Sequence, residues 1–77
     1  NKKKIIEVEE TRLAYMAGRL LKEVAEGLSR RQLEFKTEDG PVTVTVPKDV
    51  ELEYSVEQKE KEDGTRTKLE IEISWKS

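Results

Sequence analysis

"KLEIEISWK", Lys68 to Lys76, alternates polar and apolar residues at every one of its nine positions. A period of two is the side-chain period of a β-strand, so Leu69, Ile71, Ile73 and Trp75 share one face. Working back along the chain, "VELEYSV" repeats the pattern with Val50, Leu52, Tyr54 and Val56. Pairing the two stretches as a hairpin with Val50 opposite Trp75 also sets Leu52 against Ile73, Tyr54 against Ile71 and Val56 against Leu69. On the polar face this register places Glu57 beside Lys68. A slip of two residues would place Glu57 beside Glu70, a like-charge pair that disfavours the alternative. The preferred register leaves "KEDG", residues 61–64, as a four-residue loop. Trp75 then reads as a core anchor that faces inward opposite Val50. An indole buries roughly 150–250 Å², which suits it to pinning a terminus that would otherwise fray.

The rest of the chain extends this pattern. "QLEFK" puts Leu33 and Phe35 inward, and "VTVTV" does the same for Val42, Val44 and Val46. Short connections separate the strands: "EDG" at 38–40 and "PKD" at 47–49. Ahead of them lies one helical stretch, "TRLAYMAGRLLKEVAEGL". At 100° per residue, Leu13, Met16, Ala17, Leu20, Val24 and Leu28 fall on one broad face, with Leu21 at its margin. Thr11 is the expected N-cap, with no Glu or Gln three places on to complete a capping box. Gly27 is the expected helix stop, since glycine enters the left-handed region without steric cost. "KKIIEVE" is short and β-branched, and reads as a first strand with Ile6 and Val8 on one face. The expected fold is therefore α+β and two-layered, in the order β-α-β-β-β-β. One helix packs on one face of a mostly antiparallel sheet of four or five strands, and residues 1–77 form a single domain.

Composition narrows the function. The 77 residues are 34% hydrophobic, 5% aromatic and 42% charged, with a net charge of −2. A chain of this length holds one thin core, and its charge balance implies no nucleic-acid partner through bulk charge. Cysteine and histidine are both absent, which removes disulfides, thiolate or imidazole metal ligands and the commonest general base. Fourteen glutamates against one Asn and two Gln lean toward the composition of heat-adapted intracellular proteins. No apolar run reaches membrane-spanning length, and Lys2–Lys4 precede too short a stretch for a signal peptide. The expected setting is the cytoplasm.

The helix pattern "LAYMAGRLLKEVAEG", the "VPKDVELEYSV" segment and the ending "LEIEISW" together resemble the amphi-Trp domain, a small bacterial and archaeal family. That resemblance covers nearly the whole chain. It implies the fold but no catalytic residue, because the family has no established activity. A second, looser resemblance links "KIIEVEET" and the antiparallel sheet to dodecins, small flavin-storing oligomers. Dodecins carry their flavin-stacking Trp in the strand after the helix, where this chain has "QLEFK".

No constellation points to catalysis. Ser29, Ser55, Ser74 and Ser77 have no histidine to activate them. Glu53 and Glu72 are expected as cross-strand neighbours on an open, solvated face, where nothing pushes carboxylate pKa values apart. Neither EDG turn has calcium-loop spacing, and no glycine-rich phosphate loop is present. No metal or cofactor is expected. Chain direction offers more. Strands that run alternately up and down would gather Lys2, Lys3, Lys4, Arg30, Arg31, Lys48 and Lys76 at one end, opposed mainly by Asp49. Glu9, Glu10, Glu38, Asp39, Glu60, Glu62 and Asp63 would gather at the other. This sorting offsets the helix macrodipole, and it also makes the basic end a candidate anion- or partner-binding site. Against an RNA-recognition surface, the sheet's polar face is acidic and carries no stacking aromatics. Ala14, Gly18 and Ala25 form a stripe of small residues at the helix edge, a candidate seat for a partner helix or dimer mate. The leading expectation is a small non-catalytic interaction module with a protein partner, itself a monomer or weak homodimer with no membrane association. The alternatives are weak nucleic-acid or phosphate binding at the basic end, and dodecin-like flavin binding.

Overall fold

Leu13 closes the irregular start of the chain: its carbonyl accepts the first helical hydrogen bonds, from the amides of Met16 at 3.0 Å and Ala17 at 3.2 Å. From there α1 runs over Ala14–Ser29. The structure is a computed structural model and describes residues 2–77. After α1 come β1 (Gln32–Thr37), β2 (Gly40–Thr45), β3 (Glu51–Lys61) and β4 (Gly64–Ser74). The α+β class, with one helix followed by antiparallel strands, is as the alternation implies. Four strands are present, and they pair as two antiparallel two-stranded sheets, β1–β2 and β3–β4. Turn chemistry and side-chain alternation specify pairing within a hairpin. They carry no signal for which hairpin should lie beside which.

Two compact units divide the chain at Val46/Pro47. The first, residues 1–46, is built around the contact of α1 with β1. Leu33 pairs with Val44 and Phe35 with Val42, and these four side chains are half-buried together with Val24 and Leu28 of the helix. Val46, just past β2, is 2% exposed. Gly27 is buried where the helix meets β1. It is not the helix stop. The helix continues through Ser29 and ends at Arg30, and the left-handed position falls on Arg31, with φ of 60°. Arg31 holds that conformation through two reciprocal bonds. The Val46 amide donates to the Arg31 carbonyl at 2.9 Å, and Arg31 Nε donates to the Val46 carbonyl at 3.0 Å. Gly27 serves close packing instead, because a Cβ there would lie 2.8 Å from Leu33 Cδ2.

Two expectations at the start of the chain are corrected. Thr11 does not cap the helix: the cap position is Leu13, with no side-chain bond. Without a capping box nothing holds the start at Thr11, and the neighbouring Glu10 is instead paired with Arg12 at 2.8 Å. Nor does "KKIIEVE" form a strand. Lys4 Nζ meets Glu7 Oε1 at 2.9 Å, whereas residues three apart in a strand point to opposite faces about 10 Å apart along the chain. Ile5, Ile6 and Val8 are exposed. β-propensity alone does not supply the cross-strand neighbour that would order such a segment.

The second unit, Pro47–Ser77, is the long hairpin. Its register is the one read from the alternation: Leu52 opposite Ile73, Tyr54 opposite Ile71, Val56 opposite Leu69 and Glu57 opposite Lys68. The ladder zips further than the four-residue loop would allow, to Lys61 opposite Gly64. Only Glu62 and Asp63 remain as the turn, because Gly64 takes φ of 140° and lets the chain reverse early. Taken by itself this unit is a single layer, and Leu52, Tyr54, Val56, Leu69 and Ile71 are exposed.

Candidate functional site

Strand alternation builds the most prominent surface of the second unit. Leu52 is 61% exposed and Tyr54 71%, each standing opposite an isoleucine of β4. Val56 and Leu69 extend the patch toward the turn. There the face becomes polar, with Gln58 Nε2 donating to Thr67 Oγ1 at 3.1 Å. A monomeric surface seldom leaves a contiguous patch of large apolar side chains in water, and such patches mark contact sites.

At the open end of the hairpin, Pro47, Lys48, Asp49, Val50, Glu51, Ser74, Trp75 and Lys76 line one concavity of about 720 Å³. Trp75 follows the last residue of β4 and is half-buried here, with Val50 on the same hollow. Two of the seven candidate cations, Lys48 and Lys76, line the same hollow, together with Asp49 and Glu51. The indole thus offers an apolar floor between charges of both signs.

The other five candidate cations belong to the first unit. Lys2, Lys3 and Lys4 are exposed, and Lys4 is engaged by Glu7. Arg30 is the helix C-cap, and Arg31 spends Nε on the Val46 carbonyl. Ala14, Gly18 and Ala25 are exposed on α1, and a Cβ at Gly18 would meet nothing within 4 Å. The small-residue stripe is therefore not what seats the helix against β1; Gly27 does that. One groove escaped the sequence reading. Val8, Met16, Ala17 and Leu20 floor a hollow of about 480 Å³ rimmed by Glu10, Arg12, Arg19 and Glu23. Val8 lies outside any strand and lines a hollow with helix residues, a placement that strand alternation does not encode.

Glu53 and Glu72 stand directly opposite each other, as the register requires. They share an open hollow with Glu51, Leu52 and Ser74. Among the described residues no three carboxylates converge as a metal site. The electrostatics of the charged face centre on Lys68, whose amino group meets Glu70 Oε1 at 2.9 Å. That hydrogen bond and the Glu70 charge, with a smaller contribution from Glu57, raise the Lys68 pKa above its ordinary value. Among the described residues no helix is long and apolar enough to cross a membrane.

No curated protein and no solved structure matches the chain. The model of the amphi-Trp domain matches residues 1–77, the whole length of the sequence. With the terminal Trp75, the proline-led strand and the alternating hairpin all inside that match, the chain belongs to the amphi-Trp domain family.

Proposed function

We propose that this domain is a small, non-catalytic interaction module that binds a protein partner through the apolar face of the β3–β4 hairpin. One observation carries the reading: five large apolar side chains, Leu52, Tyr54, Val56, Leu69 and Ile71, lie exposed on one face of a single-layer sheet. Aromatic and aliphatic side chains clustered in this way are the usual anchors of protein interfaces. The absence of histidine and cysteine removes the commonest nucleophile and base chemistry and suits a cytoplasmic setting. In an affinity capture with the immobilised domain, the reading predicts retention that survives high salt and is lost in Tyr54→Glu. A Glu53→Lys substitution on the opposite face should leave it unchanged. Capture lost in salt but indifferent to Tyr54→Glu would refute it.

A second reading, anion binding by the basic residues, draws on the hollow that Lys48 and Lys76 line together with Trp75. It predicts retention on heparin at low salt that is weakened by Lys48→Glu and Lys76→Glu together, since phosphate contacts are salt-dependent. Passage through the column without delay would remove it.

A further inference from the structure

We infer that two copies of this chain associate by packing the apolar faces of their β3–β4 hairpins together. The inference rests on the reading of that face as an interaction surface, and it names the occupant. Along residues 50–56 and 69–75 no charged side chain interrupts the face; charge returns only toward the turn, at Glu60. An aromatic side chain buries about 150–250 Å², and the transfer free energy of an aliphatic one corresponds to about 60–120 Å². Val50, Leu52, Tyr54, Val56, Leu69 and Ile71, from two-fifths to seven-tenths exposed, thus present roughly 450 Å² per copy. A pair would remove about 900 Å² from water, the size of a weak, reversible interface.

A second copy fits this face on physical grounds. An isolated two-stranded hairpin is marginal in water until something packs on it, and a second sheet at about 10 Å is a standard cover. Around a two-fold axis each copy presents the same uncharged patch, so no like charges are driven together. The opposite face carries Glu53, Glu70 and Glu72 and stays in water. Assembly therefore closes at two copies instead of stacking on.

Sedimentation equilibrium of the intact chain, from low micromolar to near-millimolar concentration, tests this. The expected mass rises from 8.9 kDa to twice that value. Tyr54→Glu should weaken association on the order of 30-fold or more, and Glu53→Lys should not. In case Tyr54→Glu fails to fold, an isotope-filtered NOE experiment on mixed labelled and unlabelled wild-type protein provides a second readout. It should show contacts from the Tyr54 ring to the Leu69 and Ile71 methyls of the other copy. A mass of 8.9 kDa at every concentration, or a dimer without those contacts, overturns the inference. A monomer that still captures another protein through Tyr54 overturns the second-copy assignment and leaves the interaction-surface reading standing. A monomer with neither property defeats both.

Discussion

A methyl group added at Gly27 would lie 2.8 Å from Leu33 Cδ2 and 2.9 Å from the Gln32 carbonyl oxygen. Backbone cannot yield as a side-chain tip can, so Gly27→Ala should destabilise the first unit by about 1–3 kcal/mol. Gly18→Ala meets open space on the same helix and should stabilise by about 0.5–1 kcal/mol. Urea unfolding followed by circular dichroism distinguishes the two signs. Arg31 gives a second contrast. Arg31→Ala keeps the left-handed strain and leaves the Val46 carbonyl without its partner, a loss of about 1 kcal/mol. Arg31→Gly loses the same bond but relieves about 1–2 kcal/mol of strain, so it should be near neutral and always the more stable of the pair. Lys68 gives a pH dependence. Its folded pKa is raised above 10.5, first by the hydrogen bond to Glu70. A raised pKa makes the contribution fully present below 10.5 and lost as pH climbs through the folded value. Glu70→Gln should bring the Lys68 titration, followed by NMR of its ε-methylene, down toward 10.5. No movement would mean that the pair does not form in solution.

Hairpin geometry is the part of the fold most fully written in the sequence. Every apolar pair from Leu52–Ile73 to Val56–Leu69 was legible, because period-two alternation fixes the apolar face and the Glu57–Lys68 pairing favours this register over the slip that sets Glu57 beside Glu70, even though Glu53 and Glu72 stand opposite each other in it. The turns were legible as turns but not in length. Gly40 and Gly64 adopt φ of 107° and 140°, conformations that cost an L side chain dearly. Gly64→Ala should therefore destabilise the hairpin by at least about 1 kcal/mol, seen as a lowered urea midpoint; an unchanged midpoint would show that the turn is not formed as described. In the first hairpin, Thr37 Oγ1 donates to the Gly40 carbonyl at 2.7 Å and accepts from the Asp39 amide at 3.2 Å. Helix ends were less legible. Arg31 ends the turn because Val46, fifteen residues away, bonds to it from both sides, and no local pattern encodes such a partner. The absent first strand fails for a similar reason. "KKIIEVE" has strand propensity, but local ion pairing at Lys4–Glu7 prevails where no ladder is offered.

At the scale of the whole chain, alternation declares which side of β3–β4 is apolar without declaring what covers it. The candidate surface was therefore half-legible. Leu52, Tyr54, Val56, Leu69 and Ile71 were correctly placed on one face, and the sequence assigned that face to a core. A gathering of all seven basic residues needs strands that alternate in direction through one sheet, a long-range arrangement that no local pattern encodes; within the second unit, Lys48 and Lys76 line one hollow with Trp75. On the proposed function, the apolar face of β3–β4 is a contact surface open to water in the dilute chain. Paramagnetic relaxation of methyl signals by a soluble gadolinium chelate measures this directly. In dilute, monomeric protein the Leu52, Leu69 and Ile71 methyls should relax strongly while those of Val46, 2% exposed, do not. Methyls of Leu52, Leu69 and Ile71 as protected as those of Val46 at the same dilution would contradict the account.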